Sequence, residues 1–419
     1  MRITSHVRIL AVAAAVAAVP VAVATAQPSS AAKAFTGMRL IDGTDRAPVD
    51  NATLVVRDGR IVAAGPAATV IIPAGAEQVS LAGKTVIPGL INAHGHVNDV
   101  ERDLKVYAAY GVTTVFSLGD EGTAPFLAAR DGQGTPALRR SRIFTSGPVL
   151  EPTTPAQARA LVAKAAALKV DIIKIRVDDN LGTTPKLAPE VYRAVFDEAR
   201  RHRLPVAVHV FYLADAKAVL EAGADFIAHS VRDVDVDGAL IASLKARGVC
   251  LCPTLMREVS TFVYESTPSF FADPAFLAHA DARTVATLKE PAGQEAMRKS
   301  DSARRYKAGL AVASRNVKAL ANAGIPIAMG TDTGPVGRFQ GYFELMELDL
   351  MAKAGLTPRQ VLTAATRDAA RCMKVDRDLG TLESGKWADF VALDADPLAD
   401  ISNARRIDSV WIAGNRVER

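Results

Sequence analysis

One segment near the start of the chain decides how the rest folds: Val86-Ile87-Pro88-Gly89-Leu90-Ile91-Asn92-Ala93-His94-Gly95-His96. An apolar run follows a Pro-Gly pair and ends in two histidines that lie two residues apart. Residues at this spacing on a β-strand point to the same face, so the two imidazoles converge on one point. The segment therefore predicts a buried strand that ends at a metal site.

Seven further apolar runs follow this strand, and stretches with helical periodicity lie between them. The strand candidates are residues 112–118, 142–146, 171–177, 206–211, 225–229, 249–253 and 325–331. The clearest helix candidates are residues 155–168, 189–201, 214–222 and 310–323. Eight strand–helix units predict an α/β fold, a closed parallel (β/α)₈ barrel of the TIM type, over residues 84–379.

Two regions of the chain fall outside the regular strand–helix repeat. Residues 256–308 are too long for a plain connection, and they predict a helical insertion that is either a lid over the barrel mouth or a peripheral element. Short strand-like runs separated by turns such as Asp58-Gly59 and Gly414-Asn415 occur at both ends of the chain. Residues 27–83 and 380–419 are therefore expected to form one small composite β-sandwich.

The first 26 residues have the features of a secretory signal peptide. Arg2 and Arg8 precede an apolar run over residues 9–24, and Ala24-Thr25-Ala26 fits the small-residue cleavage rule. We expect export to the periplasm or the medium, with no membrane attachment after cleavage; an uncleaved anchor is the alternative. Cleavage lowers the formal charge from +5 to +3, because only these two arginines are lost. So small a positive charge does not indicate a nucleic-acid partner.

The chain has only three cysteines, although export usually favours disulfides. Cys250 and Cys252 are two residues apart in an apolar run, which places both on one face of a strand and makes a bond between them unfavourable. Cys372 lies far from both in the sequence. We predict three buried, unpaired cysteines that behave as small hydrophobic residues.

Polar residues end the other predicted strands too. His209, His229 and Asp332 close the fifth, sixth and eighth strands, at the rim where barrel enzymes keep their active sites. Lys174 lies inside the fourth strand, where burial of a cation is costly unless the side chain extends to solvent. A neutral, desolvated amine can instead react with carbon dioxide to give a carbamate, an anion with two oxygens that can bridge two metal ions.

Several segments together resemble the amidohydrolase superfamily over nearly the whole mature chain. They are residues 86–96, Tyr110-Gly111-Val112-Thr113-Thr114-Val115, Gly330-Thr331-Asp332-Thr333-Gly334, residues 354–358 and residues 379–389. The resemblance implies a distorted barrel with a composite β-sandwich. It also implies two metal sites that share Lys174, as in imidazolonepropionase-like and prolidase-like members. The ligands implied for one metal are His94, His96, Lys174 and Asp332, and those for the other are Lys174, His209 and His229.

This ligand set predicts a hydrolase that acts on a small molecule. Two divalent ions would share a hydroxide that attacks an amide or peptide-like C–N bond in a dipeptide or N-acyl amino acid, while Asp332 transfers the proton. Zn²⁺ suits these ligands, and Mn²⁺, Fe²⁺ or Co²⁺ fit as well. Tyr212 is a candidate for the catalytic hydrogen bond to the substrate carbonyl, and Arg232 for binding a substrate carboxylate.

Other functions stay open at this stage. A mononuclear deaminase or a cyclic imidate hydrolase is the main alternative, although those members typically lack the strand-4 lysine. A lactone or organophosphate ester hydrolase is another, and a non-enzymatic relative is disfavoured because no ligand is missing. Assembly into a homo-oligomer is compatible with the sequence.

Overall fold

The computed structural model describes residues 32–419, so the predicted signal peptide at residues 1–26 lies outside the described residues. Within residues 32–419, no helix is both long enough and apolar enough to cross a membrane.

The strands and helices of the described residues alternate through the middle of the chain. The strands are β1 Lys33–Leu40, β2 Val49–Arg57, β3 Arg60–Pro66, β4 Glu77–Ser80, β5 Thr85–Pro88, β6 Leu90–Gly95, β7 Val112–Ser117, β8 Arg142–Thr145, β9 Ile173–Arg176, β10 Val206–His209, β11 Phe226–Ala228, β12 Cys250–Cys252, β13 Phe390–Leu393, β14 Ile407–Ile412 and β15 Asn415–Arg416. The α-helices are α1 Val100–Ala109, α2 Ala124–Asp131, α3 Pro155–Ala167, α4 Pro189–His202, α5 Leu213–Ala222, α6 Gly238–Arg247, α7 Leu255–Val259, α8 Pro274–Leu277, α9 Ala282–Leu288, α10 Pro291–Lys299, α11 Asp301–Asn322, α12 Tyr342–Lys353, α13 Pro358–Ala364 and α14 Arg367–Cys372.

Two parallel sheets, β6-β7-β8 and β9-β10-β11-β12, form the wall of the predicted barrel. Leu150 pairs with Ile175 and joins the two sheets on one side. Residues 325–331 join them on the other side, because this segment pairs with Leu251 of β12 and accepts a hydrogen bond from the amide of Ala93 in β6. The predicted barrel is confirmed, and its eighth strand is reduced to this irregular segment.

The segment at residues 86–96 contains two strands rather than the single strand expected from its sequence. β5 lies in the sheet formed by the chain ends, and β6 begins the barrel. Gly89 separates them, and a Cβ at this position would lie 2.1 Å from the hydroxyl oxygen of Thr113. The break therefore reflects a close backbone approach that only glycine permits.

Strands from both ends of the chain form a second sheet, in the order β15-β14-β13-β5-β1-β2-β3 with β4 beside β1. The turn between β2 and β3 is at Asp58 and Gly59, whose φ angles of 51° and 75° suit a tight hairpin. Phe35 packs edge-on against Phe390 and Trp411, with ring centroids 4.9 and 4.7 Å away. These contacts place N-terminal and C-terminal residues in one apolar core.

A buried ion pair links the terminal sheet to the barrel. The Nε of Arg142 in β8 donates to Asp389 Oδ2 at 2.6 Å, and the two side chains are only 2% and 4% exposed. The other oxygen of Asp389 accepts from the amide of Ala413 at 2.8 Å. The carboxylate is therefore paired and hydrogen-bonded, as a buried charge must be.

The prediction of three unpaired cysteines is wrong for two of them. Cys250, the first residue of β12, forms a disulfide with Cys372 at the end of α14, which lies 122 residues away in the sequence. Cys252 is free and buried. The barrel fold brings α14 against the start of β12, a proximity that sequence spacing does not reveal.

The predicted insertion at residues 256–308 is helical and packs beside the barrel mouth. It contains α8, α9 and α10, most of α7 and the first turns of α11. Phe270 and Phe276 pack against Tyr342 of α12, with ring centroids 5.8 and 5.2 Å away. This aromatic contact holds the insertion against the barrel and places its first residues at the cavity described below.

Candidate active site

Three of the predicted metal ligands meet at the mouth of the barrel. Asp332 Oδ1 lies 3.2 Å from His94 Nε2 and 2.8 Å from His96 Nε2. One ligand atom from each residue lies within 4.8 Å of the other two, a spacing that could hold a metal ion. The Nδ1 atom of His96 faces the carbonyl of Gly119 at 3.2 Å. This carbonyl favours a proton on Nδ1 and leaves Nε2 free to bind a metal.

The other three predicted ligands lie next to this group. Lys174 Nζ is 3.1 Å from His94 Nε2. The ring of His229 lies 4.7 Å from that of His94 and 4.0 Å from that of His209, measured between centroids. His229 Nδ1 lies 2.6 Å from the Thr254 hydroxyl, whereas its buried Nε2 has no hydrogen-bond partner among residues 32–419. A buried imidazole nitrogen without a partner is what a metal ligand requires.

Two of the candidate ligands have a backbone conformation that is unusual for residues with a side chain. The φ angles of His229 and Asp332 are +70° and +60°, in the left-handed region. Each such residue costs about 1–3 kcal/mol and persists only where the surroundings impose it. The positions of both side chains are therefore set by a strained backbone at the strand ends, as is common at functional sites.

Asp178 orients His209, and the sequence analysis did not identify it. Its Oδ2 atom lies 2.9 Å from His209 Nε2, and its Oδ1 accepts from Arg176 Nε at 2.8 Å. Burial raises the pKa of Asp178, but His209 and Arg176 lower it far more, so this carboxyl stays ionised. A carboxylate this close to Nε2 restricts how the His209 ring can turn. Asp178 lies four residues after Lys174, in the loop that follows β9, and that position was the available signal.

A buried acid on α12 accepts hydrogen bonds from residues near the ends of β6 and of the eighth barrel segment. Glu344 Oε1 accepts hydrogen bonds at 2.6 Å from Asn92, Thr331 and Thr333. Asn92 in turn accepts from the amide of His94 at 2.9 Å. This network fixes the backbone on which His94 and Asp332 lie.

Burial sets the protonation states of the cluster. It lowers the pKa of His94 to about 3, helped by the nearby Lys174, and it lowers the pKa values of His209 and His229 well below the ordinary value. Burial also lowers the pKa of Lys174 to about 8. The imidazoles are thus neutral near pH 7, which is the form that binds metals.

A cavity of about 340 Å³ lies above this cluster. His94, His96, Lys174, His209 and Asp332 line it, and His229 is fully buried next to His94 and His209. Its wall also contains three arginines that the sequence analysis did not identify, Arg176, Arg257 and Arg338. With Lys174, these arginines outnumber the two carboxylates of the lining, Asp332 and Glu151, so the cavity is predominantly cationic.

Two of these arginines approach the same oxygen of Asp332. Arg338 Nη1 forms a close ion pair with Oδ2, and Arg257 Nε lies 4.0 Å from it. Arg338 Nε also donates to the Ser260 hydroxyl at 3.1 Å. Burial raises the pKa of Asp332, but Arg338 and the two histidines hold it well below its ordinary value. Asp332 is therefore an anion that faces the histidines through Oδ1 and the arginines through Oδ2.

The structure does not bring Tyr212 or Arg232 into the cavity wall, although both were predicted to contact substrate. The Tyr212 hydroxyl donates to Asp179 at 2.8 Å, and its ring lies under the ammonium of Lys186. Arg232 is fully buried, donates to the carbonyls of Val210 and Ser230 at 3.0 and 2.9 Å, and pairs with Glu258. Both side chains already have partners within the protein, a feature that residue spacing along the strands cannot reveal.

Comparison with known proteins agrees with this geometry. The model of the "Amidohydrolase family" matches residues 85–417. The chain belongs to the amidohydrolase family. The prediction of a metal-dependent hydrolytic enzyme of this type is confirmed.

Individual relatives are distant. An imidazolonepropionase of Caulobacter vibrioides is 25% identical over 414 residues, which cover 84% of this chain and 90% of that protein. An imidazolonepropionase of Deinococcus deserti is 37% identical, but the match covers only 23% of this chain and a quarter (25%) of that protein. A crystal structure from Bifidobacterium longum, assigned as a prolidase, superposes with a TM-score of 0.76 at 27% identity and covers 94% of this chain and 96% of that one.

Proposed function

We propose that this chain hydrolyses an amide C–N bond that joins an acyl group to an amino acid, as in a dipeptide or an N-acyl amino acid. The observation that carries the proposal is the grouping of His94, His96 and Asp332, with the other three candidate ligands beside them, at a cavity lined by arginines. The similarity to the structure assigned as a prolidase supports a small peptide-like substrate.

The donors fit two divalent metal ions, Zn²⁺ first among them. His94, His96 and Asp332 would hold one, and His209 and His229 the other, with the buried Nε2 of His229 as the clearest vacant donor. When bound, such ions polarise a carbonyl oxygen and make water nucleophilic near neutral pH.

Lys174 would join the two sites as a carbamate. The lowered pKa leaves a useful fraction of its amine neutral near pH 7. The neutral amine nitrogen attacks carbon dioxide, a C–N bond forms as one C–O π bond of carbon dioxide breaks, and one proton leaves the nitrogen, so that the neutral amine becomes an anion. This change suits the position of Nζ, which lies 3.1 Å from His94 Nε2 and forms no ion pair with a carboxylate among residues 32–419.

Asp332 is the proton carrier in this proposal. Its Oδ1 faces the two histidines and would hold the metal ion with them, and its carboxylate would accept the proton of the attacking water. The carboxylate would then deliver that proton to the nitrogen of the leaving amine as the C–N bond breaks.

Metal analysis and a substrate screen test the proposal together. Purified protein should contain about two divalent ions per chain, and the loaded enzyme should release amino acids from dipeptides or N-acyl amino acids. Lys174→Ala should lose activity and regain part of it with a short carboxylate and added metal. The control, Lys164→Ala, removes an exposed lysine on α3 and should change neither. Full activity of Lys174→Ala would rule out the bridging role.

A second candidate is hydrolysis of a cyclic amide by a single metal ion. The similarity to imidazolonepropionases over most of the chain favours it, and His94, His96 and Asp332 alone could hold one ion. A firm content of one metal, with turnover of a cyclic imidate or imidazolone and none of linear amides, would establish this function instead.

We also propose that the chain is exported. The N-terminal sequence supports this, and so does the Cys250–Cys372 disulfide, because such bonds persist in oxidising compartments. The mature protein should begin at Gln27 by mass spectrometry, and an intact N-terminus on the exported protein would contradict signal cleavage.

A further inference from the structure

We propose that Arg257 and Arg338 together bind a carboxylate of the substrate, so that the enzyme selects amides that carry a free acid group. This inference rests on the proposed amide hydrolysis and assigns its specificity to residues that the family resemblance did not point to.

The two arginines reach the cavity from different parts of the chain. Arg257 lies on α7, directly after β12, and Arg338 lies in the loop between the eighth barrel segment and α12. Their guanidinium groups converge on Asp332 Oδ2. Two guanidinium groups that meet at one point in a cavity match the planar, two-oxygen shape of a carboxylate.

Arg257 is held in place with one donor unused. Its Nη2 donates to the Tyr306 hydroxyl at 3.0 Å, and its guanidinium lies 4.1 Å from the centre of that ring. Glu258 pairs with Nη1 at 3.2 Å. The residue is only 6% exposed, and the buried Nε of its side chain has no hydrogen-bond acceptor among residues 32–419. A buried N–H without an acceptor in a cavity wall indicates a missing ligand.

The local charges point to an anionic ligand. Arg232 and Arg257 share the single carboxylate of Glu258, which leaves this buried group with a net positive charge. Arg338 forms its ion pair with Asp332, which would also bind a metal ion. Arg176 is paired with Asp178, and Glu151, which also lines the cavity, is exposed. A substrate carboxylate would supply the anion that this group of arginines lacks.

The test compares an N-acyl amino acid with its carboxamide, which has the same shape without the charge. Wild-type enzyme should prefer the acid by about tenfold to a hundredfold in kcat/KM, as expected for hydrogen bonds to a charged group. Arg257→Met and Arg338→Met should lose that preference through KM and keep their metal content. Arg257→Lys and Arg338→Lys should regain part of it. Arg315→Met, at an exposed arginine paired with Asp235, is the matched control and should behave as wild type.

Binding gives a readout that does not depend on turnover. Calorimetry with an N-alkyl amino acid, which has no amide bond to cleave, should show binding that both Met variants weaken and the Arg315→Met control does not. Equal turnover of acid and carboxamide by wild type would overturn the inference and leave amide hydrolysis standing. Equal losses on both substrates in the Met variants would overturn it too, because the arginines would then act only through Asp332. Absence of all amide turnover would refute the proposed function, while the calorimetry would still decide the role of the arginines.

Discussion

Removal of the Cys250–Cys372 disulfide should lower the stability of the protein without changing its chemistry. The bond closes a loop of 122 residues between β12 and α14. The chain-entropy relation gives about 5 kcal/mol for a loop of this length, and disulfides typically contribute about 2–4 kcal/mol. We therefore expect the double variant Cys250→Ala/Cys372→Ala to lose about 2–5 kcal/mol in the free energy of unfolding. Because Cys250 begins its strand and the candidate ligands end theirs, kcat should stay the same.

Urea unfolding of wild type, with and without a reductant, measures this contribution. The reduced wild type and the double variant should unfold at similar, lower urea concentrations than the oxidised protein. Cys252→Ala is the matched control, since it removes a buried thiol two residues away that is not in the bond. Its unfolding midpoint should still shift on reduction.

A thiol titration would refute the reasoning most directly. The unreduced, denatured protein should expose one free thiol per chain, that of Cys252. Three titratable thiols, or identical unfolding curves with and without reductant, would mean that the cysteines are unpaired in the purified protein.

Three further predictions concern buried carboxyl groups. Asp178→Asn should weaken metal affinity by about 10–100-fold, because the charge that orients His209 is lost. Competition with a chelator measures this affinity, and an unchanged value would contradict the role of Asp178. Asp389→Ala should lower the free energy of unfolding, measured with urea, by about 3–5 kcal/mol, because it leaves Arg142 buried and unpaired. A decrease below about 1 kcal/mol would contradict this. Burial raises the pKa of Glu344, so the folded state keeps a proton that the unfolded chain loses near pH 4.3. The stability of wild type relative to Glu344→Gln should therefore fall as pH rises above that value, as unfolding midpoints of the two proteins across a pH series would show.

The barrel and its cluster of polar residues could be predicted because local patterns determine them. When a polar residue ends a barrel strand, its place on the strand predicts both the direction of its side chain and the rim of the barrel at which it lies. His94, His209 and Asp332 are far apart in the sequence, yet parallel strands in a barrel must deliver their C-terminal ends to one rim. The structure gathers these residues for that reason.

Contacts that depend on loops and on helix packing could not be predicted in this way. The bond between Cys250 and Cys372 requires knowing where α14 docks, and no periodicity in the sequence contains that information. Arg257 and Arg338 lie outside the strands, so their directions follow from an irregular insertion and a glycine-containing loop. For the same reason, spacing after a histidine suggested Arg232, whose side chain instead turns back to its own backbone carbonyls.

The position of β5 has a consequence for how the protein is made. β5 pairs with β1 on one side and with β13 on the other, and β13 begins only at Phe390. During synthesis, one edge of β5 therefore stays uncovered until almost the whole chain has left the ribosome, and unpaired strand edges favour aggregation. If the chain crosses a membrane unfolded, as the proposed export requires, this delay would help, because the terminal sheet cannot close before β13 is made.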